Sequence, residues 1–288
     1  MNELENLLRQ QLHTAADPIQ VPIDDQAVLA EGRRARTART IRWSDGGGGV
    51  RFTGLDAAAS GPVVLAGPTG NTASVRVGAP AANWTLAVLP EGATWATGLE
   101  PVLDTVMGSL GQVARVPGTS WVAAAFVADQ PDRDGRFVWG TSTCRVFTST
   151  GQSVEAATFP SLGDERVTVY AVDAWDVVGL RTASTGYEQI EEIRPGFLPA
   201  GSIAGQDGRS AAFAVLLPRG VSADSLTWDF GRPVTTTVPR STKVLADGRT
   251  WVHEAFSAEG ILDWQPGGPT VTYTAADGSR VTARVLKV

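Results

Sequence analysis

The hydrophobic positions along the chain follow two different periods. Near the N-terminus, Leu4, Leu7, Leu8 and Leu12 have the i, i+3, i+4, i+8 spacing that places side chains on one face of a helix. From residue 50 onward, short runs rich in Val, Thr, Phe, Trp and Tyr are separated by Gly, Pro, Asp and Asn. The first pattern predicts a short amphipathic helix, and the second predicts a long β region.

The predicted strands of the β region are short, and turn-forming residues bound each of them. They cover residues 73–77, 84–89, 121–128, 137–148, 167–174, 211–217, 234–238 and 251–256, with a closing hairpin of 271–274 and 280–286 over Asp277 and Gly278. His253 is expected on the solvent face of its strand, and Cys144 is expected as a small buried residue within a strand. Because no long helical period interrupts the strands, the pattern disfavours parallel βαβ architecture.

An internal repeat divides the β region. The run that ends at Pro90 reappears at Pro218, 128 residues later, and the run that begins at Trp121 reappears at Trp251, 130 residues later. The repeat predicts two tandem antiparallel β-sandwich domains of the immunoglobulin-like kind, with both tryptophans in their cores. The predicted organisation is a helical segment at 1–42, a glycine-rich linker at 43–49 and β-sandwich domains at 50–163 and 164–288.

Basic residues of the N-terminal segment are concentrated at its end. Five arginines fall within ten residues: Arg33, Arg34, Arg36, Arg39 and Arg42. Such a cluster is typical either of a solvated linker or of a polybasic segment that lies beside an anionic membrane or a partner protein. The tetraglycine run that follows has the composition of a flexible joint, which places the predicted linker there.

Composition excludes several classes of function. Lys and Arg number 24 against 30 Asp and Glu, so the chain carries a net charge of −6 and has a pI near 5.0, which argues against a dedicated nucleic-acid binder. One cysteine and two histidines leave little material for a disulfide or a zinc site. Lysine occurs only at Lys243 and Lys287, so no phosphate-binding G-x-x-x-x-G-K loop exists. We therefore expect no enzyme activity, no metal and no cofactor.

Targeting signals are also missing from the sequence pattern. The chain opens with acidic residues rather than the basic and apolar stretches of a secretory signal peptide. Its most apolar runs are far shorter than the roughly 20 residues needed to span a bilayer.

Tryptophan is the residue type best suited to ligand contact in this composition. Of nine tryptophans, five are candidate ligand aromatics: Trp84, Trp95, Trp139, Trp228 and Trp264. Exposed aromatic residues on a β-sandwich would form a contact surface for carbohydrate or protein. The alternative is that these side chains belong to the hydrophobic core.

The first 42 residues resemble the cytoplasmic start of actinobacterial single-span regulatory proteins, including anti-sigma-factor-like ones. The features they share are the pattern M-x-E-L-E-x-L-L-R-x-x-L, a proline-interrupted acidic stretch and the arginine cluster. In that family a transmembrane helix and an extracytoplasmic region follow the cluster. Here residues 43–49 stand in place of the span. The resemblance implies a sigma factor as partner, and an extracytoplasmic β region if a native span lies near residue 43; otherwise the β region is cytoplasmic.

Together these features predict a non-enzymatic binding or sensory protein. Its tandem β region would recognise an envelope ligand or protein, and the leucine stripe of its N-terminal helix would contact a protein partner. The alternative is a carbohydrate-binding or adhesive structural module of a cell envelope or phage, with polysaccharide as the partner. A hydrolase that uses Asp or Glu carboxylates is a third hypothesis.

Overall fold

A computed structural model of the 288-residue chain gives its architecture. It describes residues 42–53, 63–67, 73–79, 82–102, 105–110, 112–128, 135–183, 188–193, 197–205, 208–259 and 269–285. Over these residues the protein is mainly β, with several antiparallel sheets and two 3-10 helices, Asp173–Trp175 and Ala223–Ser225. This confirms the predicted mainly β, antiparallel class. In this part of the chain, no helix is long and apolar enough to cross a membrane.

The strands are short, as the spacing of turn residues predicts. Those of the first half are β1 (Arg42–Asp45), β2 (Gly49–Thr53), β3 (Val63–Ala66), β4 (Ala73–Ala79), β5 (Ala82–Leu89), β6 (Ala93–Val102), β7 (Thr105–Leu110), β8 (Gln112–Arg115), β9 (Val122–Ala128), β10 (Phe137–Thr141), β11 (Val146–Thr148) and β12 (Ser153–Val154). Those of the second half are β13 (Ala156–Pro160), β14 (Arg166–Val172), β15 (Val177–Thr182), β16 (Glu188–Glu192), β17 (Phe197–Leu198), β18 (Ala200–Ala204), β19 (Ser210–Leu217), β20 (Thr227–Asp229), β21 (Thr235–Val244), β22 (Thr250–Ser257), β23 (Thr270–Thr274) and β24 (Arg280–Val285).

The described strands form five sheets, which we name by position. The N-terminal sheet has the order β1-β2-β3, and the first four-stranded sheet has the order β4-β5-β9-β8. The nine-stranded sheet has the order β12-β11-β10-β6-β7-β16-β15-β14-β13. The second four-stranded sheet has the order β18-β19-β22-β21, and the C-terminal sheet has the order β17-β24-β23-β20. Within the last of these, β17 pairs in parallel with β24.

The sheets pack face to face in a stack. The N-terminal sheet covers one face of the first four-stranded sheet around Phe52 and Trp84, and the opposite face packs on β6 and β10 around Phe126 and Phe137. At the other end of the nine-stranded sheet, β13, β14 and β15 pack through the same outward face on the second four-stranded sheet around Trp251. The other face of that sheet packs on the C-terminal sheet.

The position of a strand in the stack determines its pattern of buried and exposed residues. Seven of the eight residues of β19 are buried, because both faces of the second four-stranded sheet are covered. In β24, exposed residues alternate with more buried ones, because only one face of the C-terminal sheet is covered. The alternation of β24 is therefore the pattern of an outer sheet.

The nine-stranded sheet curves so that its two halves face each other. Trp95 and Val138 of β6 and β10 share one buried cluster with Tyr170 and Ile190 of β14 and β16. A Cβ on Gly179, which lies in the middle of β15, would overlap the Tyr170 ring. Glycine is therefore needed at this point of the strand to let the ring lie flat against the backbone.

The two four-stranded sheets have the same strand order, and the internal repeat falls on their central strands, β5 and β9 in one and β19 and β22 in the other. Trp121 is half-buried beside the cluster under the N-terminal sheet, whereas Trp251 is fully buried against the nine-stranded sheet. The turn at 161–165, which contains the predicted domain boundary, joins β13 to β14, and these two strands pair with each other.

The glycine-rich segment 43–49 is a β-hairpin, which corrects its prediction as a flexible linker. Trp43 of β1 pairs with Phe52 of β2, and their rings meet edge to face at 6.4 Å. Gly47 and Gly48 form the turn at φ 76° and 120°. Glycine is used here for the left-handed backbone of the turn and not for flexibility, because side chains disfavour that region.

The predicted strand 137–148 is also corrected, because it is two strands joined by a turn. β10 and β11 pair antiparallel. Cys144 lies in the turn between them, half-buried, with a left-handed φ of 61°. A cysteine gives no turn signal in the sequence, and the apolar residues on both sides read as one continuous run.

Candidate functional site

A groove of about 550 Å³ opens where the C-terminal sheet meets the second four-stranded sheet. This volume lies in the range of about 300–1,000 Å³ that ligand sites occupy. One wall consists of Phe197, Leu198 and Pro199, where the chain crosses from the nine-stranded sheet to the C-terminal sheet. Leu216 and Pro218, at the end of β19, extend this wall. The wall is apolar throughout.

The opposite wall of the groove is built by the C-terminal hairpin. Val281, Thr282 and Ala283 of β24 and Tyr273 of β23 line it, and Arg249 lies at the groove from the turn before β22. Three of the lining side chains are therefore polar, against seven apolar ones. Mostly apolar walls with a few polar groups are typical of sites that bind small molecules or cofactors.

Tyr273 supplies a polar group that the protein itself leaves unused. Its side chain is 8% exposed, and its ring packs in the core between the C-terminal and second four-stranded sheets. Burial raises the pKa of the Tyr273 hydroxyl, which is therefore neutral at physiological pH. Among the described residues it has no hydrogen-bond partner, so it is able to donate to a ligand in the groove.

Arg249 is paired with two carboxylates of the protein itself. Its Nη1 and Nη2 donate to the two carboxylate oxygens of Asp173 at 2.8 and 2.7 Å, and its Nε donates to Asp247 at 2.6 Å. Burial opposes the charge, but these hydrogen bonds raise the pKa of Arg249. Arg219 lies 4.0 Å from the Asp247 carboxylate. These bonds use three of the five N–H donors of Arg249, and the two carboxylates neutralise its charge within the protein.

The chemistry of the groove therefore favours an uncharged, mostly apolar ligand with one hydrogen-bonding group. Its apolar walls would cover the ligand, and the Tyr273 hydroxyl would orient it. Within the described part of the chain, no three His, Cys, Asp or Glu side chains lie close enough together to hold a metal ion.

The predicted partner-binding residues lie mostly outside the described residues. This is the case for the leucine stripe Leu4, Leu7, Leu8 and Leu12 and for Arg33, Arg34, Arg36 and Arg39. Arg42 is described and is exposed at the start of β1. Trp264 also lies outside the described residues.

Three of the candidate ligand aromatics are core residues, which corrects their prediction as surface contacts. Trp84 is fully buried beneath the N-terminal sheet. Trp95 is 7% exposed, stacks on Tyr170 and is covered by the Arg181 guanidinium 4.8 Å from its ring centre. Trp139 is 5% exposed and donates its Nε1 hydrogen to the Thr148 carbonyl at 3.1 Å. Because sheets cover both faces of these strands, none of the three indoles forms an exposed platform.

Trp228 is half-buried and belongs to a polar contact inside the C-terminal pair of sheets. Its Nε1 donates to the Glu254 carboxylate at 2.6 Å, and Arg240 donates to the same oxygen at 2.8 Å. Arg240 also donates to two backbone carbonyls, those of Ala223 and Leu226. The contact therefore links β20, β21 and β22 and satisfies the buried charge of Glu254.

His253 is buried, which corrects its prediction as a solvent-facing strand residue. It is 1% exposed and stacks on Phe159 of β13 with ring centres 5.4 Å apart. Neither ring nitrogen has a hydrogen-bond partner among the described residues. Burial lowers the pKa of His253 to about 4, so it is neutral at pH 7. The neutral ring acts as a core aromatic between the nine-stranded and second four-stranded sheets.

Sequence analysis did not identify any residue of the groove. Pro199 and Pro218 each follow a strand and so mark its end, but a proline after a strand is common in β proteins. Tyr273 reads as an ordinary alternating strand residue. The groove arises from segments far apart in the chain, so no local spacing could predict it.

Comparison with known proteins gives no family: no family model matches the chain, and no curated protein is significantly similar to it in sequence.

Proposed function

We propose that the protein is a non-enzymatic binding protein whose ligand site is the groove beside β24. The observation that carries the proposal is the combination of apolar walls with the hydroxyl of Tyr273, which has no hydrogen-bond partner among the described residues. Binding rather than catalysis is favoured because the one charged side chain of the groove, Arg249, is held by two carboxylates and offers no free acid or base.

We also propose that the protein contains two related immunoglobulin-like sandwich units in tandem. In each unit a four-stranded sheet faces three antiparallel strands, β11-β10-β6 in the first and β24-β23-β20 in the second. The matching strand orders and the internal repeat support this relationship. On this proposal the groove lies at the edge of the second unit, where β17 joins it to the nine-stranded sheet.

A further part of the proposal concerns the N-terminal segment, which would contact a protein partner such as a sigma factor through its leucine stripe. The resemblance of residues 1–42 and the helical spacing of the stripe support it. Leu8→Asp is expected to abolish partner binding and to leave the unfolding transition of the β region unchanged. Unchanged binding to a purified sigma factor would refute this contact.

The groove is tested by ligand-observed NMR with a panel of neutral aromatic and aliphatic fragments. Ala283→Phe fills the groove and is expected to abolish fragment binding, whereas Tyr273→Phe removes only the hydroxyl and is expected to weaken it about tenfold. Ala114→Phe, at an exposed position of β8, is the matched control and should bind as the parent does. Equal binding by Ala283→Phe and the parent would exclude the groove as the site.

A further inference from the structure

The last eight strands form a separate part of the fold. β17 to β24 make up the second four-stranded sheet and the C-terminal sheet, and over the described residues they pair only with one another. The two sheets enclose a hydrophobic core of their own, which includes Phe213 and Phe256. They can therefore move away from the nine-stranded sheet without breaking any β ladder of the described chain.

The contact that holds them is the Trp251 interface, which we define as the packing of β13, β14 and β15 on the second four-stranded sheet around Trp251. In the part of the chain that the structure describes, seven buried side-chain nitrogen or oxygen atoms have no hydrogen-bond partner, and five of them belong to this interface. The five are Trp251 Nε1, His253 Nδ1 and Nε2, Ser161 Oγ and Gln189 Oε1.

Contacts and strand register place these polar groups at the interface. His253 stacks on Phe159 of β13, and Ser161 continues the face of Phe159 at the end of that strand. Gln189 pairs in register with Leu180, whose side chain packs in the interface. Burial of polar atoms without partners costs free energy, and water supplies partners once the sheets separate. The interface is therefore weaker than an apolar one of the same size.

His253 makes this interface sensitive to acid. Its ring is 1% exposed, and burial lowers its pKa from 6.5 to about 4. Among the described strands packed around it, β13 and β19 contain no titratable residue, and no carboxylate of the others lies against the ring. The titratable groups of those strands are Arg166, which is exposed, Tyr170 and Arg181, which pack around Trp95 inside the nine-stranded sheet, Lys243, which is exposed, Arg240 and Glu254, which face the C-terminal sheet, and Glu191, which lies three strands away from β13.

Polar contacts at the edge of the interface are also sensitive to acid. Arg249 donates to the Asp173 carboxylate, and the Ala246 N–H donates to Glu155 Oε2 at 2.8 Å. Both donors belong to the turn before β22, and both acceptors belong to the chain of the nine-stranded sheet. Protonation of a carboxylate removes the charge that strengthens such a bond. Acid therefore acts on the edge of the interface in the same direction as on His253.

We propose that the Trp251 interface is an acid-sensitive joint, at which protonation of His253 releases strands β17–β24 from the nine-stranded sheet as one folded unit. Between the sheets, the charged ring has no acceptor among the described residues for its two N–H groups, whereas water solvates it in the open interface. Protonation of a buried histidine is an established way to switch an interface. The proton shifts the protein between two arrangements of the same folded parts.

The size of the effect follows from the two protonation equilibria of His253. Its pKa is about 4 in the closed interface and 6.5 when the ring is exposed, so lowering the pH from 7 to 4 favours the open arrangement by about a hundredfold. This is measured with single cysteines in a Cys144→Gly chain, which has no other thiol. Ala214 and Ala211 are fully buried on opposite faces of β19; Ala214 faces the interface, and Ala211 faces the C-terminal sheet.

The two cysteine variants are labelled with 4,4′-dithiodipyridine between pH 7 and pH 4, and each rate is divided by that of a free cysteine peptide at the same pH. We expect the rate of Ala214→Cys to rise at least about a hundredfold over this range and to exceed that of Ala211→Cys at least about tenfold at pH 4. Low concentrations of urea should accelerate Ala214→Cys less than Ala211→Cys, because opening exposes less surface than unfolding. Adding His253→Phe should remove most of the rise with acid.

Equal rates for Ala214→Cys and Ala211→Cys would show that the thiols are exposed by unfolding of the unit and would overturn the joint. An equal rise with acid in the presence of His253→Phe would overturn the role of His253, and the absence of any rise would overturn both. Ala157→Cys, on the β13 side of the interface, gives the same measurement if Ala214→Cys does not fold.

Discussion

Arg249 and Asp173 are 76 residues apart in the chain and form a two-point ion pair, with both Nη atoms of the guanidinium within 2.8 Å of a carboxylate oxygen. Arg249 belongs to the turn between β21 and β22, and Asp173 begins the 3-10 helix after β14. The pair therefore connects the second four-stranded sheet to the nine-stranded sheet, at one end of the groove.

Replacing Arg249 with Met is expected to lower the free energy of unfolding by about 1 kcal/mol, measured by urea denaturation. The effect is modest because Asp173 is 61% exposed, so water solvates it when its partner is lost. The loss should shrink at high salt, which screens the pair. Arg115→Met is the control: its pair with Glu91 is exposed on both sides, and its change should stay within about 0.5 kcal/mol. Equal losses for the two variants would contradict this ranking.

Cys144 occupies a turn position that glycine fills elsewhere in the protein. In six described hairpins the residue with positive φ donates its N–H to the carbonyl three residues earlier, and it is glycine in four of them, at Gly151, Gly208, Gly248 and Gly278; Asp176 is the sixth. A residue with a side chain is strained in the left-handed region. The free-energy cost of this strain exceeds the cost that glycine adds through the greater entropy of its unfolded state. Cys144→Gly is therefore expected to raise the free energy of unfolding by about 0.5 kcal/mol.

Thermal and urea denaturation of Cys144→Gly would measure this gain, and Gly151→Ala provides the reciprocal change at the equivalent position. The second substitution is expected to lower stability, because alanine would meet the same strain at φ 80°. A loss of stability in Cys144→Gly would show that contacts of the thiol outweigh the backbone strain.

The same turn shows how far local sequence predicts this fold. The hairpin of β23 and β24 was predicted from Asp277 and Gly278, and the two strands pair across that turn. The turn at Cys144 has the same backbone but no residue that signals it. The prediction of a linker from the tetraglycine run was wrong for the opposite reason: glycine is a strong signal, but it occurs both in linkers and in tight turns.

Burial and the groove depend on contacts that local patterns do not contain. Trp84 and Trp95 were candidate surface residues because nothing in the sequences of β5 and β6 indicates that another sheet covers these strands. His253 alternates correctly within its strand, but both faces of that strand are covered. The groove combines residues from Phe197 to Ala283, so it becomes visible only when five chain segments are assembled.

The Glu254 carboxylate provides a third prediction. It is 10% exposed and accepts hydrogen bonds from Trp228 and Arg240. Arg240→Met leaves this buried charge without its cation and is expected to lower the free energy of unfolding by about 2 kcal/mol, less than for a fully buried pair because Arg240 is itself 25% exposed.

The double variant Arg240→Met with Glu254→Leu separates the effect of the unpaired charge on stability from the effect of lost side-chain packing. Removing both charges eliminates the unpaired carboxylate, so much of the lost stability should return, and a double-mutant cycle by urea denaturation gives the coupling energy. A double variant that is less stable than Arg240→Met alone would show that the pair stabilises the protein beyond neutralising Glu254.

His253 makes the stability of the protein depend on pH. Its pKa is about 4 in the folded chain, against 6.5 when it is exposed in the unfolded chain. Between these values the unfolded state binds the proton and the folded state does not, so the free energy of unfolding rises with pH. The stability is fully present above about pH 6.5 and falls by up to about 3 kcal/mol as the pH is lowered to about 4.

His253→Phe removes the titrating group and keeps an aromatic ring against Phe159. Urea denaturation of parent and variant at several pH values from 4 to 7 would measure the difference between their free energies of unfolding. The carboxylates titrate in both proteins, so their contribution cancels in this difference. As the pH falls, we expect the free energy of unfolding of the variant to rise relative to that of the parent, by up to about 3 kcal/mol. His13→Gln is the matched control, because His13 is the other histidine of the chain. A parent and His253→Phe variant with parallel pH profiles would show that the ring accepts a proton in the folded state as readily as in the unfolded one.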